Sequence, residues 1–182
     1  MSRTITLAGI QFTPSDDMQA NIDRVAGFVR EAAAQGADVV LPPELFCGYY
    51  FCKTQEEHHF ERALPWPVHP AVVQLSELAA ELGVVIPVSI YEKDGPHYYN
   101  SLVMIDADGT PLGVYRKSHI PDGPGYHGTS FITDHVGEVV TDFGRSEEGI
   151  LLASFDLDVI DRDRAAWGFF RDRRTDLYDI LV

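Results

Sequence analysis

Basic residues are scarce in this chain: 14 Lys and Arg stand against 28 Asp and Glu over 182 residues, for a formal net charge of −14. Such a surface repels phosphate backbones, which argues against a nucleic-acid partner and mildly favours cationic small molecules. Long apolar runs are also lacking, so no stretch reads as a membrane span. Cysteine occurs only at Cys47 and Cys52, too few for a disulfide framework and in keeping with a reducing cytoplasm. The opening Met1-Ser-Arg-Thr-Ile-Thr-Leu-Ala-Gly runs straight into a strand-like pattern, without the apolar segment and cleavage site of a secretory signal. What remains is an ordinary globular balance, 45% apolar and 23% charged, in a length suited to one compact domain over residues 1–182.

The periodicity predicts an α/β layered fold. Thr4 to Phe12 reads as a buried strand, and Ile22, Val25, Val29, Ala32 and Ala33 recur at helical spacing before Gly36. A short apolar strand follows from Ala37 and is closed by Pro42 and Pro43. Pro70 to Leu82 repeats the helical pattern and stops at Gly83. Strands are then predicted for Val84–Tyr91, Tyr98–Asp106 and Pro111–Lys117, joined by turns at Asp94-Gly95 and Asp108-Gly109. Ser118 to Tyr126 is a loop by composition. A further hairpin spans Ser130–Asp134 and Glu138–Asp142, then a strand Ile150–Leu157. From Val159 the chain is helical at first and ends in a charged tail. Strand–helix–strand units giving way to hairpins imply a mixed sheet covered by helices.

Two residues stand where chemistry would be placed. Glu44 leaves a strand behind two prolines and enters an aromatic run, where desolvation would suit it to proton transfer. Its bland reading is a carboxylate capping a surface turn. Lys117 ends a strand before a Pro/Gly-rich loop, where an ammonium could stabilise an oxyanion. Alone, it reads as an exposed edge lysine.

Together they form a pattern. Pro42-Pro-Glu-Leu-Phe with Tyr115-Arg-Lys-Ser-His-Ile-Pro resembles the first two catalytic motifs of the nitrilase (carbon–nitrogen hydrolase) superfamily. Glu44-Leu-Phe-Cys-Gly-Tyr-Tyr-Phe-Cys, His119-Ile-Pro-Asp-Gly-Pro-Gly-Tyr and Arg164-Ala-Ala-Trp-Gly-Phe-Phe-Arg-Asp-Arg-Arg are similar to its N-carbamoylputrescine amidase branch. Ala8-Gly-Ile-Gln-Phe and Gly128-Thr-Ser-Phe-Ile fit as well. The resemblance implies an α-β-β-α sandwich, homo-oligomers, no metal or organic cofactor, and hydrolysis of an amide or ureide C–N bond. It also implies Glu44 as general base and Lys117 as oxyanion support.

The chain departs from that pattern in one place. Relatives carry a long segment between the positions matching Tyr126 and His127, with a strand–helix portion, a second glutamate and the nucleophilic cysteine. Here Tyr126 joins His127 directly, so the family position for the nucleophile has no residue. Cys47 and Cys52 follow Glu44 closely, but each reads as an inert, buried thiol. Two classes of function therefore stand: an amidase whose sequence lacks an internal segment, and a non-catalytic family remnant or interaction subunit; a third, weaker reading is a hydrolase that recruits Cys47 or Cys52. Loss of a central sheet portion predicts marginal stability and association.

Three further signals are set aside. Gly123-Pro-Gly-Tyr-His-Gly128 matches Gly-x-Gly-x-x-Gly but precedes a strand, not a helix. Glu56-Glu-His-His-Phe-Glu61 holds metal-ligand types, yet adjacent histidines are expected to face different directions on a helix, so it reads as a solvated face. The tail's Arg162, Arg164, Arg171, Arg173 and Arg174 alternate with Asp161, Asp163 and Asp172. They predict an ion-paired or subunit-contacting segment anchored by Trp167, Phe169 and Phe170.

Overall fold

The structure is a computed structural model and describes residues 3–50, 56–120, 128–169 and 171–177. Cys52, the Tyr126–His127 junction and Phe170 lie outside the described residues. Strand β1 (Thr4–Gln11) leads into helix α1 (Met18–Ala34), and β2 (Val39–Leu41) runs parallel to β1 in the register Leu7 to Val39. Helix α2 (Pro70–Leu82) precedes an antiparallel meander of β3 (Ile86–Asp94), β4 (His97–Ile105) and β5 (Pro111–Arg116). A hairpin of β6 (Phe131–Thr133) and β7 (Val139–Asp142) follows, then β8 (Gly149–Asp156) and helix α3 (Leu157–Trp167). The sheets are ordered β2-β1-β8 and β3-β4-β5, with β6-β7 separate. Val40 N–H to Val85 O at 3.0 Å and Val85 N–H to Asp38 O at 2.9 Å join β2 to the residue before β3.

The chain groups into two compact units, Thr6–Ala153 and a smaller one of Met1–Ile5 with Ser154–Val182. In the larger unit, Ile22, Val25, Val29 and Ala32 of α1 and Leu75, Leu78 and Ala79 of α2 are buried with Ala8, Ile10, Val40, Val88, Ile90, Val103 and Ile105. The apolar stripe of each helix thus meets alternate residues of the strands. Arg30 with Glu81, at 2.5 and 2.8 Å, and Gln19 with Gln74, at 2.8 Å, tie the two helices side by side at the surface.

Both helices start and stop for local reasons. Asp17 caps α1 by accepting from Ala20 N–H at 3.0 Å. Helix α2 begins with Pro70, whose missing N–H costs nothing there, and ends on Gly83 at φ 69°, a left-handed position that glycine adopts freely. Gly109, at φ 82°, lets the β4–β5 turn lie against α2, because a Cβ there would meet Ser76 O at 2.5 Å.

On the helix side of the meander one polar knot is buried. Glu92 accepts from Ser101 Oγ at 2.5 Å and from Arg116 Nε and a terminal guanidinium nitrogen at 2.9 and 2.6 Å, so three strands share one carboxylate. The Arg116 hydrogen bonds hold its carboxyl below the usual range, against desolvation.

In the smaller unit α3 is capped by Asp156, which accepts from Asp158 N–H at 2.9 Å, and Arg3 reaches Asp158 and Asp161 at 2.9 and 2.5 Å. Trp167 and Phe169 stack on each other at 5.6 Å and are about two-thirds exposed. Arg171 pairs with Asp172 and Arg174 with Asp176, as the alternating charge predicts. Among the described residues no helix is long and apolar enough to cross a membrane.

Candidate functional site

Beyond β2 the two prolines end the strand, and the backbone reverses at Leu45, which sits at φ 53°. A branched residue in the left-handed region costs on the order of 1 kcal/mol or more. Two anchors hold it there: Leu45 N–H donates to Ser89 Oγ on β3 at 3.1 Å, and the adjacent Phe46 is fully buried. The reversal delivers the Glu44 carboxylate to the sheet face opposite the helices.

Lys117 reaches the same place from β5. Its N–H donates to Asn100 O at 2.9 Å, continuing the β4–β5 ladder past Arg116. Side chains alternate along the strand, so Arg116 turns to buried Glu92 while Lys117 projects to the other face with Tyr115. There Glu44 Oε1 accepts from Lys117 Nζ at 3.1 Å and from Asn100 Nδ2 at 2.6 Å. Both predicted residues are thus brought together across 73 positions of chain. The Glu44 side chain is 33% exposed and is held by a cation and an amide. Asn100 could not have been told from the other polar residues of its strand, His97 and Ser101. Ser89 and the Leu45 reversal left no signal that separates them from ordinary strand and loop residues.

Glu44 borders a cleft of about 940 Å³ floored by Leu7, Val39, Leu41 and Pro87. Gln11 closes one end of it. Its amide donates to Gly144 O and Glu147 O at 2.9 and 2.7 Å and accepts from Ser130 N–H at 2.9 Å, which pins the β6–β7 hairpin to β1. Cys47, the one cysteine among the described residues, lines a different recess of about 310 Å³ with Met18, His69 and Tyr91. Burial pushes its thiol up to about 12, the opposite of what a nucleophile needs. At Glu56–Glu61 the expected helix face is instead a 3-10 helix, Glu57–Arg62, and the rings of His58 and His59 lie 4.2 Å apart. Both belong to its first turn, where no preceding turn restricts their rotamers. The adjacent histidines therefore lean together and do not diverge.

Comparison with known proteins gives the family and the fold. The sequence pattern of the family described as "Carbon-nitrogen hydrolase" matches residues 6–127, and the chain belongs to that family. It is 33% identical to an N-carbamoylputrescine amidase of Arabidopsis thaliana, over 99% of this chain and 96% of that protein. It is 28% identical to a citrullinase of Francisella tularensis, over 98% of each. A carbon-nitrogen hydrolase from Helicobacter pylori shares the fold, with a TM-score of 0.79 at 20% identity over 100% of this chain and 99% of that one. The α/β fold is accordingly nitrilase-like. The plant alignment spans 286 positions whereas the chain has 182 residues, so at least 104 positions of that alignment hold no residue of this chain.

Proposed function

We propose that the protein is the base-and-oxyanion portion of a cytoplasmic, homo-oligomeric ureide amidase that hydrolyses N-carbamoylputrescine to putrescine, carbon dioxide and ammonia. The observation that carries this reading is Glu44 Oε1 held between Lys117 Nζ and Asn100 Nδ2 at the mouth of an apolar cleft. Two relatives are named for ureides, and a cationic ureide suits a chain of charge −14.

In the reaction, Glu44 takes the proton of an attacking thiol, and the sulfur adds to the ureide carbon. Lys117 stabilises the oxyanion, and the ammonia that leaves takes its proton from Glu44. Water, deprotonated by the same carboxylate, then attacks the thiocarbamate; the sulfur leaves with that proton as the thiol, and the carbamic acid released loses carbon dioxide to give the amine. The thiol belongs to residues not in this sequence. Burial disfavours the Cys47 thiolate, and the family match ends at residue 127, where the missing positions are expected. We place one internal segment of about a hundred residues between Tyr126 and His127 of the active protein.

The test pairs intact mass with ammonia release from N-carbamoylputrescine, using protein from the natural host. A mass well above 20.3 kDa with turnover that is lost in Glu44→Gln and Lys117→Met supports the proposal. A mass of 20.3 kDa without turnover replaces it with a non-catalytic family member.

A further inference from the structure

The Glu56–Arg62 segment plays no part in the amidase reading, yet it gathers three donors. One ligand atom each from Glu56, His58 and His59 lies within 4.8 Å of the other two, and a Glu56 carboxylate oxygen is 3.2 Å from His58 Nδ1. We infer that Glu56, His58 and His59 bind a borderline divalent cation of the Zn²⁺ type, with water completing the coordination.

The donor set fits that ion by chemistry and by size. Two imidazoles and one carboxylate suit Zn²⁺ far better than Mg²⁺ or Ca²⁺, which prefer oxygen ligands throughout. Bonds of ~2.0–2.2 Å in a tetrahedron set ligand atoms about 3.3 Å apart. The Glu56–His58 pair already has that spacing. The remaining pairs need to close by ~1.5 Å at most, which rotation of the exposed Glu56 and His58 side chains towards half-buried His59 supplies.

The repulsion that the nearby Arg62 exerts at His59 is offset in part by the carboxylates of Glu56 and Asp16. Arg62, at the end of the same 3-10 helix, is paired with Asp16 at 2.5 Å. Glu56 and His58 are more than half exposed, so an ion can enter from solvent. Binding would also fix Phe60, which packs on Tyr98 at 4.6 Å, two residues before Asn100 in β4. An occupied site would therefore stiffen the Phe60–Tyr98 contact, whatever reaction Glu44 performs.

The experiment is a calorimetric titration of the untagged, chelator-treated full chain with ZnCl₂ and, separately, with MgCl₂. One equivalent of Zn²⁺ is expected, with affinity at least about tenfold lower in His58→Ala and in His59→Ala, since losing even an outer-sphere partner costs that much. His135→Ala, at an exposed histidine of the β6–β7 turn, should bind as the parent does. Should the half-buried His59 not tolerate alanine, as judged by circular dichroism, Glu56→Gln replaces it at an exposed position. Undiminished binding in the variants overturns the site, as does a parent chain that binds Zn²⁺ no better than Mg²⁺. The second result would leave only the general attraction of an acidic surface.

Discussion

Leu45 and Ser89 decide where Glu44 points, although neither carries chemistry. The buried Leu45 N–H has Ser89 Oγ as its acceptor in a backbone conformation that branched residues avoid. Ser89→Ala should therefore lower stability by about 1–3 kcal/mol, the cost of a buried donor left without a partner, read as the midpoint of chemical denaturation. An unchanged midpoint would mean that water or another acceptor replaces the hydroxyl. Cys47 makes the opposite kind of prediction. With its thiol pushed up to about 12 by burial, the thiolate fraction at neutral pH is on the order of a thousandfold below that of a free cysteine. In a Cys52→Ser background, maleimide or disulfide reagents should label the folded chain correspondingly slowly, and fast labelling would reopen Cys47 as a nucleophile. At this scale the sequence shows which residue types can act, as with Glu44 and Lys117. It does not show which neighbours aim them: Asn100, Ser89 and the left-handed Leu45 become visible only when β2, β3 and β4 lie side by side.

Among the elements, α2 was fully legible, because Pro70 and Gly83 mark its ends in the sequence and it runs Pro70–Leu82. The 3-10 form of Glu57–Arg62, where a helix face is expected, and the whole of Trp66–Val68 were not, since such short turns have no hydrophobic period to read. Also hidden was the unusual cap of α2. His69 is buried, and its Nδ1 accepts from Ala71 N–H at 3.2 Å. Protonation would remove that acceptor, and burial lowers the imidazole to about 4 from 6.5. Above pH 6.5 the residue is neutral in both folded and unfolded chains. As pH falls from 6.5 towards 4 the unfolded chain binds a proton that the folded one does not. Stability should therefore decline through that window and level off below it, by about 3 kcal/mol at most for this group. His69→Asn retains a side-chain oxygen for the cap and removes the titration. Its melting temperature should vary less than the parent's between pH 6.5 and 4. Equal slopes in the two proteins would show that carboxylates elsewhere, and not His69, set the acid sensitivity.

For the molecule as a whole, the helix-covered side of the sheet was legible from periodicity. The state of the opposite face follows from what the chain lacks. Leu41 and Tyr115 are half or more exposed, and both share the face that carries Glu44 and Lys117. In a layered fold such side chains are covered by another layer, and at least 104 positions of the plant relative's alignment have no residue here. Apolar side chains left on an open sheet face bind one another or any other apolar surface. Charge opposes this, since a net −14 makes copies repel at low ionic strength, and salt removes the repulsion beyond a Debye length of about 8 Å at physiological strength. The 182-residue chain should therefore sediment as larger species as salt is raised from about 0.01 to 0.15 M, the range over which screening sets in, and should bind an apolar fluorescent dye. Leu41→Thr with Tyr115→Thr keeps strand-forming side chains while shrinking the apolar surface, so association and dye binding should fall together. A monodisperse monomer at both salt concentrations, with no dye signal and a sharp reversible melt, would show that this face is closed in solution. The chain would then stand as a complete shortened fold and not as one that awaits its missing layer.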